Sequence, residues 1–421
     1  MRMKLPKLSL VLAASFLLLA AITLNTVGCT PQVQAADIMK GLVSEKVEGK
    51  ASDDKFLKNT ADFSLDLFKS TISPEDNSLI SPLSVLLALA MTANGADTAT
   101  LVEMEAVLGG DIPLAQLNEY LYTYVGSLPS AKKAKLSIAN SIWFREDEDR
   151  LMVEQDFLQT NADYYGAAAY KAAFDKQTLA DINNWVENNT DGMIDKILDE
   201  IAEDAVMYLI NAIVFDAEWK DIYNKDNVRQ GEFTAIDGSK QQADFMSSEE
   251  AHYLDDGRAT GFIKPYADGN YSFAALLPNE GINVQDYVTC LSGEGLLRAI
   301  EEAQEITVNA TMPKFSYDYT VNMNDSLKDM GMPTAFSAAA ADFSKLGRST
   351  RGNIYLYEVL HKTFIAVDER GTRAGAVTKV EMRDEAYFET KIVRLDRPFV
   401  YAIIDNATNL PIFIGTVVNL D

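Results

Sequence analysis

The chain has 421 residues, of which 48% are hydrophobic, so it is long enough to bury a large core. Its formal net charge of -25 argues against binding to nucleic acid and against adsorption to anionic lipid. Neither internal repeats nor Pro-rich linkers interrupt the sequence after about residue 55. We therefore predict one domain over residues 55–421.

The first 29 residues have the order of a secretory signal. Arg2, Lys4 and Lys7 precede the apolar stretch LSLVLAASFLLLAAITL. No later run is long and apolar enough to span a bilayer. The sequence therefore predicts an exported protein.

Two cleavage sites could follow that signal. The stretch TVGC, residues 26–29, resembles a bacterial lipoprotein box, in which Cys29 is acylated. The small residues of VQA, 33–35, form the alternative site for a freely secreted protein. We favour the lipid anchor on Cys29, with residues 30–54 as a tether between the membrane and the domain. Cys290 is then the one cysteine left, so an intrachain disulfide is excluded.

Helical patterns dominate the first half of the chain. DDKFLKNTADFSLDLFKSTI has apolar residues near helical spacing. A second helix is predicted to begin after Ser81, a suitable N-cap, with Pro82 in its first turn, and to stop at Gly95. A third amphipathic helix, ADINNWVENNTDGMIDKIL, is expected to break near Gly192.

Strand patterns follow in the second half. AVMYLINAIVF, YSFAALLP, EITVNATMPKF and IYLYEVLHKTFIAVDE are rich in β-branched and aromatic residues. The C-terminal stretch RPFVYAIIDNATNLPIFIGTVVNL predicts two apolar strands around a turn made by Asp405, Asn406 and Asn409. Helices first and strands afterwards indicate an α+β fold with large, partly buried sheets.

The stretch DERGTRAGAVTKVEMRDEAYFET, residues 368–390, fits neither a helix nor a short turn. It can be a solvated surface loop or an extended strand without an obvious partner. Its alternation favours the strand, because small, β-branched and apolar residues share one side of an extended chain. That side carries Thr372, Ala374, Ala376, Thr378, Val380 and Met382, and the other carries Arg373, Lys379, Glu381 and Arg383.

The sequence contains few elements of enzyme chemistry. It has two histidines, His252 and His361, and lacks the G-x-S-x-G, H-E-x-x-H, P-loop and C-x-x-C patterns. Cys290 with His252 is a candidate nucleophile and base pair, but a lone cysteine is more often an inert apolar residue. We predict that the protein is not an enzyme and needs no cofactor and no metal.

Four separated motifs resemble, in order and spacing, the marker segments of serpins. They are NSLISPLSVLLALAMTANGADTATLVEMEAVLG, INAIVFDAEWKDIY, VLHKTFIAVDERGTRAGAVT and LDRPFVYAIIDNATNLPIFIGTVVN, and they span roughly residues 55–420. The resemblance implies three β-sheets, eight or nine helices and an exposed reactive loop ahead of the final strands. Residues 368–390 would contain that loop.

The resemblance also implies a function, inhibition of serine proteases by a suicide-substrate mechanism. A protease attacks the loop and forms an acyl-enzyme, and the freed loop then inserts as a new strand in the main sheet. Cysteine proteases are a second class of target, and the inhibitor is expected to be a monomer. The alternatives are a non-inhibitory relative that is merely cleaved and a cell-surface binding protein whose loop contacts a ligand.

The resemblance assigns roles to several residues. Trp219 and Lys314 would lie where the loop enters the sheet, and Lys314 would pair with Glu369. A polar cluster beneath the opening sheet would contain Ser81, Ser84, Asn211 and His361. The loop hinge would consist of Glu369, Gly371, Thr372, Ala374, Gly375 and Ala376.

The scissile bond follows by counting forward from Gly371 with the spacing usual in serpins. This count puts the cut after Glu385, before Ala386, and cleavage after Ala386 or Tyr387 is one or two residues away. A cut after Glu385 implies a glutamate-specific protease, and one after Tyr387 implies a chymotrypsin-like protease. Arg383 would suit a trypsin-like protease, but the insertable segment would then be shorter. The small side chain of Ala386 favours elastase-like or subtilisin-like proteases, which are the preferred targets.

Overall fold

The computed structural model describes residues 33–147, 151–203, 205–350, 352–372 and 390–420. Its helices surround and separate several sheets. They are α1 (Asp54–Thr71), α2 (Pro82–Ala93), α3 (Thr98–Gly109), α4 (Leu114–Ser127), α5 (Gln155–Tyr165), α6 (Lys176–Asn189), α7 (Val284–Cys290), α8 (Gly293–Glu301) and α9 (Asn324–Met330).

The largest sheet has seven described strands in the order β1, β5, β3, β6, β16, β15, β13. Its longest strands, β3 and β6, are antiparallel neighbours and run side by side from Ala134↔Ala217 to Phe144↔Met207. The strands of this sheet are β1 (Ala36–Asp37), β3 (Ala134–Arg145), β5 (Ala168–Ala172), β6 (Met207–Glu218), β13 (Phe315–Asn322), β15 (Leu360–Val367) and β16 (Gly371–Thr372).

Two further large sheets and one small sheet complete the described fold. The six-stranded sheet, in the order β2, β19, β18, β11, β10, β9, contains β2 (Ser78–Ile80), β9 (His252–Asp255), β10 (Ala259–Pro265), β11 (Tyr271–Pro278), β18 (Phe399–Asp405) and β19 (Pro411–Val417). The four-stranded sheet, in the order β17, β12, β8, β7, contains β7 (Val228–Thr234), β8 (Lys240–Glu250), β12 (Thr307–Pro313) and β17 (Thr390–Arg394). The small sheet pairs β4 (Leu151–Val153) with β14 (Gly347–Ser349). The predicted α+β fold with three main sheets is confirmed.

The first two helices begin where their capping residues predict. Asp53 caps α1 by accepting a hydrogen bond from the Phe56 amide at 3.0 Å. Ser81 caps α2, and Pro82 occupies its first turn as expected. Helix α2 packs between β6 of the seven-stranded sheet and β19 of the six-stranded sheet. It therefore carries its N-terminal residues directly beneath the larger sheet.

The third predicted helix is correct in its first part only. Helix α6 ends at Asn189, and Gly192 follows with φ at +72°, a left-handed conformation that suits glycine. The prediction that a helix resumes after Gly192 is wrong. The Asn183 side chain instead accepts hydrogen bonds from the backbone amides of Ile197 and Leu198, which holds this non-helical stretch beside α6.

The strand predictions succeed where apolar residues run continuously. β6, β11, β18 and β19 occupy the predicted segments, and every residue of the last three is buried. The turn before β19 contains Asn409 in a left-handed conformation. The predicted strand in IYLYEVLHKTFIAVDE starts only at Leu360, so its first half was assigned wrongly.

The chain from Gln34 onwards lies against the domain, although it belongs to the predicted tether. Ala36 pairs with Lys171 and Asp37 with Tyr170, so β1 extends the free edge of β5. The Asp181 carboxylate accepts hydrogen bonds from the amides just before β1, at 2.8 and 3.0 Å. These contacts hold the described start of the predicted tether against the domain.

The membrane-related predictions concern the start of the chain. Residues 1–29, with Cys29, lie outside the described residues. In the described part of the chain, none of the helices combines the length and hydrophobicity needed to cross a bilayer.

Candidate functional site

The seven-stranded sheet has a seam between β6 and β15. At one end the two-residue strand β16 fills the seam, with Gly371 opposite Glu218, and Thr372 opposite both Ala217 and Val367. Beyond Thr372, no ladder joins β6 to β15 among the strands that the structure describes. A cavity lies there instead, lined in part by Ile213, Phe215, Ile365 and Thr372. The described residues thus supply the beginning of a central strand, and none of them pairs with both β6 and β15 beyond Thr372.

Gly371 is fixed by a close approach of two backbones. A Cβ atom at this position would lie 1.9 Å from the carbonyl oxygen of Ala217. A side chain at this position would push β16 away from β6, so the seam can close here only around glycine. The resemblance places Gly371 in the loop hinge, and the structure gives it a steric role there.

Trp219 and Tyr223 hold the backbone that precedes β16. The Trp219 indole Nε1–H donates to the Asp368 carbonyl at 2.9 Å, and the Trp219 amide donates to the Arg370 carbonyl at 2.7 Å. The Tyr223 amide donates to the Glu369 carbonyl at 2.9 Å. Three successive carbonyls are therefore bound by one short segment, which fixes the reversal of the chain from β15 to β16.

Tyr266 links this segment to the first buried hinge side chain. Its ring stacks on that of Trp219, with centroids 4.6 Å apart and planes 12° from parallel. Its hydroxyl lies 2.6 Å from Oγ1 of Thr372, which is buried. Burial raises the pKa of Tyr266, and the hydrogen bond with Thr372 offsets only part of that rise, so the group stays a neutral hydroxyl.

Lys314 and Glu369 form the ion pair that the resemblance implies. Lys314 Nζ lies 2.9 Å from Glu369 Oε1 and 3.6 Å from a carboxylate oxygen of Asp244 on β8. Burial opposes ionisation of Glu369, but the hydrogen bond and the charge of Lys314 outweigh it together with a backbone hydrogen bond and the charge of Arg370, so the pKa of Glu369 is below its usual value. The same contacts raise the pKa of Lys314 despite its partial burial. The hinge is thereby linked to the four-stranded sheet.

Ser81, Ser84, Asn211 and His361 lie together further along the seam. The Ser81 amide donates to His361 Nε2 at 3.1 Å, and the Ser81 hydroxyl donates to the Ile412 carbonyl at 2.8 Å. The Ser84 hydroxyl donates to Asn211 Oδ1. The polar cluster, as these four residues are called below, joins α2 to both β6 and β15.

His361 is neutral in this environment. Burial lowers its pKa to about 4, and Nε2 acts as an acceptor for the Ser81 amide. A second cavity borders the polar cluster, lined in part by Ser84, Asn211, His361, Met207 and Leu209. The cluster therefore combines uncharged hydrogen-bonding groups with unfilled space at the seam.

The same architecture occurs in proteins of known family. Residues 58–420 match the family model described as Serpin (serine protease inhibitor). The chain belongs to the serpin family. It is 28% identical to an uncharacterised serpin-like protein of Thermococcus kodakarensis over 369 residues, which cover 85% of this chain and 84% of that protein.

Two crystal structures of the thermophilic serpin tengpin resemble this serpin. The native state matches with 54% sequence identity and a TM-score of 0.89, covering 92% of this chain and all of that one. The latent state matches with 55% identity and a TM-score of 0.81, covering 89% of this chain and all of that one. The described arrangement is thus more similar to the native form than to the latent form.

Several predicted site residues of this serpin lie outside the described residues. They are Cys29, Ala374, Gly375, Ala376, Glu385, Ala386 and Tyr387. The structure does bring Glu369, Gly371 and Thr372 together with Trp219 and Lys314.

Sequence reasoning missed other residues of the site. Tyr223, Tyr266 and Asp244 contact the hinge or its ion pair, and Asn140 accepts a hydrogen bond from Asn211 Nδ2 at 2.5 Å. Asn140 could have been found, because it lies opposite Asn211 on β3 once these strands are aligned. The tyrosines carry no such signal, since buried tyrosines are common in any core.

Proposed function

We propose that this serpin inhibits serine proteases as a one-use substrate and is not itself an enzyme. The protease serine attacks a carbonyl carbon in the loop, an ester bond forms, and the peptide C–N bond breaks as the new amino group leaves with a proton. The upstream part of the loop then inserts between β6 and β15 while still bound to the protease. The observation that carries this proposal is the seam between β6 and β15, in which the described residues form a strand only at one end.

The register of β16 defines where an inserting loop would lie. Continuing the pairs Gly371↔Glu218 and Thr372↔Ala217 places Ala374 opposite Phe215, and Ala376 opposite Ile213. These partners are buried, and so are their counterparts on β15. The inward positions are thus ones at which a small side chain fits and a charged one would be costly to bury.

The same register carries the loop to the polar cluster. Thr378 would come opposite Asn211 on one side and His361 on the other, as continued from the pairs of β16. A threonine hydroxyl can both donate and accept a hydrogen bond, and Asn211 and His361 offer both kinds of group. Insertion at this level therefore replaces empty space with polar contacts and leaves no buried charge unpaired.

Insertion is favourable because the new strand gains a ladder on each side. About a dozen new backbone hydrogen bonds, each contributing about 0.5–1.5 kcal/mol, give on the order of 10 kcal/mol. That free energy is enough to displace a bound protease if insertion is faster than hydrolysis of the ester. If hydrolysis is faster, the same reaction releases a cleaved, inactive serpin.

One experiment separates inhibition from simple cleavage. We expect incubation with elastase-like, subtilisin-like and chymotrypsin-like proteases to give an SDS-resistant complex with at least one of them. A glutamate-specific protease completes the panel. If proteases of this panel cleave the loop and none forms a complex, inhibition is refuted and the protein is a non-inhibitory serpin. Resistance of the loop to every protease would favour a binding protein instead. A parallel panel of cysteine proteases tests the second class of target.

A pair of variants tests the insertion step itself. Ala376→Arg should convert inhibitor to substrate while the intact protein keeps its fold, because the charged side chain is buried only on insertion. Val377→Arg is the matched control, since alternation turns it to the outer side of the new strand. Equal loss of inhibition in both variants would contradict the proposed register.

The scissile bond remains a proposal at Glu385-Ala386, with cleavage after Ala386 or Tyr387 as the neighbouring choices. Elastase-like or subtilisin-like targets are preferred for the small side chain of Ala386. The intact mass of the C-terminal fragment released from a protease complex locates the bond directly. A fragment that begins outside residues 384–388 would show that the assignment is wrong.

We also propose that the protein is exported and held at the membrane by a lipid on Cys29, and that it acts as a monomer. The support is the charged and apolar order of residues 1–29 and the TVGC motif. Labelled fatty acid should be incorporated into the wild-type protein and not into Cys29→Ser. Release of both forms into the medium without label would indicate cleavage near residue 35 instead.

A further inference from the structure

A buried ion pair lies behind the residues that hold the hinge. Lys264 on β10 and Glu250 at the end of β8 place Nζ and Oε1 2.7 Å apart, with 1% and 6% of their side chains exposed. The Ser248 hydroxyl donates a hydrogen bond to the same oxygen at 2.6 Å. Both charges are therefore removed from water and satisfied by each other and by one hydroxyl.

The lysine ammonium faces the two aromatic residues that bind the hinge backbone. Lys264 Nζ lies 4.3 Å from the ring centroid of Tyr223 and 5.5 Å from that of Trp219. The Ser248 hydroxyl oxygen also lies 3.4 Å from that of Tyr223. A cation over both rings favours one orientation of each, since the attraction depends on where the ring face points. The pair thus connects the ends of β8 and β10 to Trp219 and Tyr223.

The Trp219 indole and the backbone amides of Trp219 and Tyr223 hold the turn from which an inserted strand would grow. Trp219 and Tyr223 bind the carbonyls of residues 368–370, and the next two residues are already paired within the seam. Insertion after cleavage would then lengthen an existing strand and need not form its first pairs. A turn that shifts during this process would lose the register on which each new pair depends.

Stability alone does not explain a pair of this kind. Removing two charges from water opposes much of the attraction between them, so a hydrophobic pair of similar volume often serves as well or better. Buried ion pairs can instead specify one arrangement over others. Here the arrangement that the pair specifies is that of the hinge-binding aromatic residues.

We propose that the Lys264–Glu250 pair is a positioning element for loop insertion, acting through Trp219 and Tyr223. It keeps the turn at residues 368–370 fixed while the cleaved loop enters the seam. This inference rests on the proposed function, because it assumes that the loop inserts. The pair therefore affects the rate of loop insertion and does not contact the protease.

The test replaces the pair by neutral residues of similar shape. Lys264→Met with Glu250→Gln removes both charges and keeps an amide oxygen for the Ser248 hydroxyl. The matched control is Lys240→Met with Glu232→Gln, because that pair lies 3.1 Å apart on β8 and β7 but is about half exposed. Lys264→Arg is the conservative variant, since it keeps a cation beside Glu250.

The measurement is the rate at which the full-length protein becomes heat-resistant after rapid cleavage of its loop. We expect the buried-pair variant to fold and to insert at least about tenfold more slowly, equal to about 1.4 kcal/mol in activation free energy. Its reaction with a target protease should shift from complex to cleaved product. The exposed-pair control should match the wild type, and Lys264→Arg should insert faster than the neutral variant.

Insertion at the wild-type rate in the folded double variant would overturn the proposal. If that variant does not fold, Lys264→Met with Glu250→Leu decides, because it also removes the cation from both rings, leaves no buried charge unpaired and should still slow insertion. A wild-type protein that inserts but traps no protease refutes the proposed function and leaves the comparison of rates valid. Absence of insertion in the wild type would refute both.

Discussion

At the hinge end of the seam, side-chain ion pairs and stacked aromatic rings hold the chain. At the polar cluster, neutral hydroxyl, amide and imidazole groups hold the strands. The hinge end has Lys264 and Glu250 buried behind Trp219, and Lys314 paired with Glu369 in front of it. At the polar cluster, His361 is kept uncharged by burial, and a cavity borders the seam. The two regions belong to one sheet but differ in both charge and packing.

This difference indicates that the two ends of the seam respond differently to a displacement of the chain. Charged and stacked contacts resist displacement, because breaking them exposes an unpaired charge or a large apolar face. Neutral hydrogen bonds beside a cavity can be exchanged for others at little net change in free energy. The hinge end is therefore suited to stay in place, and the polar cluster is suited to open and to bind a new strand.

The largest expected effect comes from filling the seam. Cleavage of the wild-type loop should raise the Tm by roughly 10 °C or more, since about 10 kcal/mol is gained in a domain of this size. Differential scanning calorimetry of intact and cleaved protein measures the change. Cleaved Ala376→Arg should gain much less. An unchanged Tm after wild-type cleavage would show that the seam stays empty and that the two regions do not act in sequence.

Truncation of the central aromatic residue at the hinge end should have the next largest effect. Trp219→Ala removes a buried ring and its contacts, which should lower the free energy of unfolding by about 3–5 kcal/mol. Trp143→Ala is the control, because Trp143 is also buried but stacks on Tyr170, away from the hinge. Only Trp219→Ala should expose bonds within 368–372 to limited proteolysis. Equal exposure in both variants would contradict a specific hold on the hinge.

Acidification should weaken the polar cluster through His361. The pKa of His361 is lowered by burial to about 4 in the folded protein, against about 6.5 for an unfolded histidine. The unfolded state binds more protons between these values, so this contribution is complete above pH 6.5 and is lost as the pH falls towards 4. The loss should approach about 3 kcal/mol.

Urea titrations of the wild type and His361→Gln at several pH values check this expectation. Other groups also titrate, so the informative quantity is the difference between the two proteins. That difference should shrink as the pH falls from 6.5 to 4. A constant difference across this range would mean that His361 is not neutral and buried.

The smallest effect is expected for the ion pair in front of the hinge. Glu369→Gln should lower stability by under about 1 kcal/mol, because the pair is partly exposed. Lys314 also keeps Asp244 as a neighbour at 3.6 Å. Thermal unfolding of the intact protein measures this change. A loss as large as that of Trp219→Ala would mean that the Lys314–Glu369 pair, and not the contacts of Trp219, contributes most to holding the hinge.

Much of the fold could be predicted because local signals agree with it. Ser81 and Pro82 mark the start of α2, and the apolar runs of β11, β18 and β19 are buried on both faces. β3 was missed although its sequence AKLSIANSIWFR alternates, with Leu136, Ile138, Ile142 and Phe144 on one face. Asn140 interrupts that apolar face, and only the pairing with β6 shows that Asn140 has a partner there, Asn211.

The candidate site was only partly predictable for a related reason. The resemblance supplied the polar cluster, and the structure places its four residues in contact, while their role in insertion stays a prediction. Glu250 and Lys264 gave no signal, because charged residues on strands normally face water. Only the meeting of β8 and β10 behind Trp219 shows that this pair is buried.

The pairing of β1 with β5 limits how far the domain can move if Cys29 carries a lipid. Six residues lie between Cys29 and Ala36, and a fully extended chain over the seven steps from one to the other spans at most about 25 Å. The β5 edge of the sheet would then remain within that distance of the membrane surface. A protease would then meet this serpin only close to the membrane. The residues before β1 would set that distance, because the rest of the predicted tether lies against the domain and adds no length.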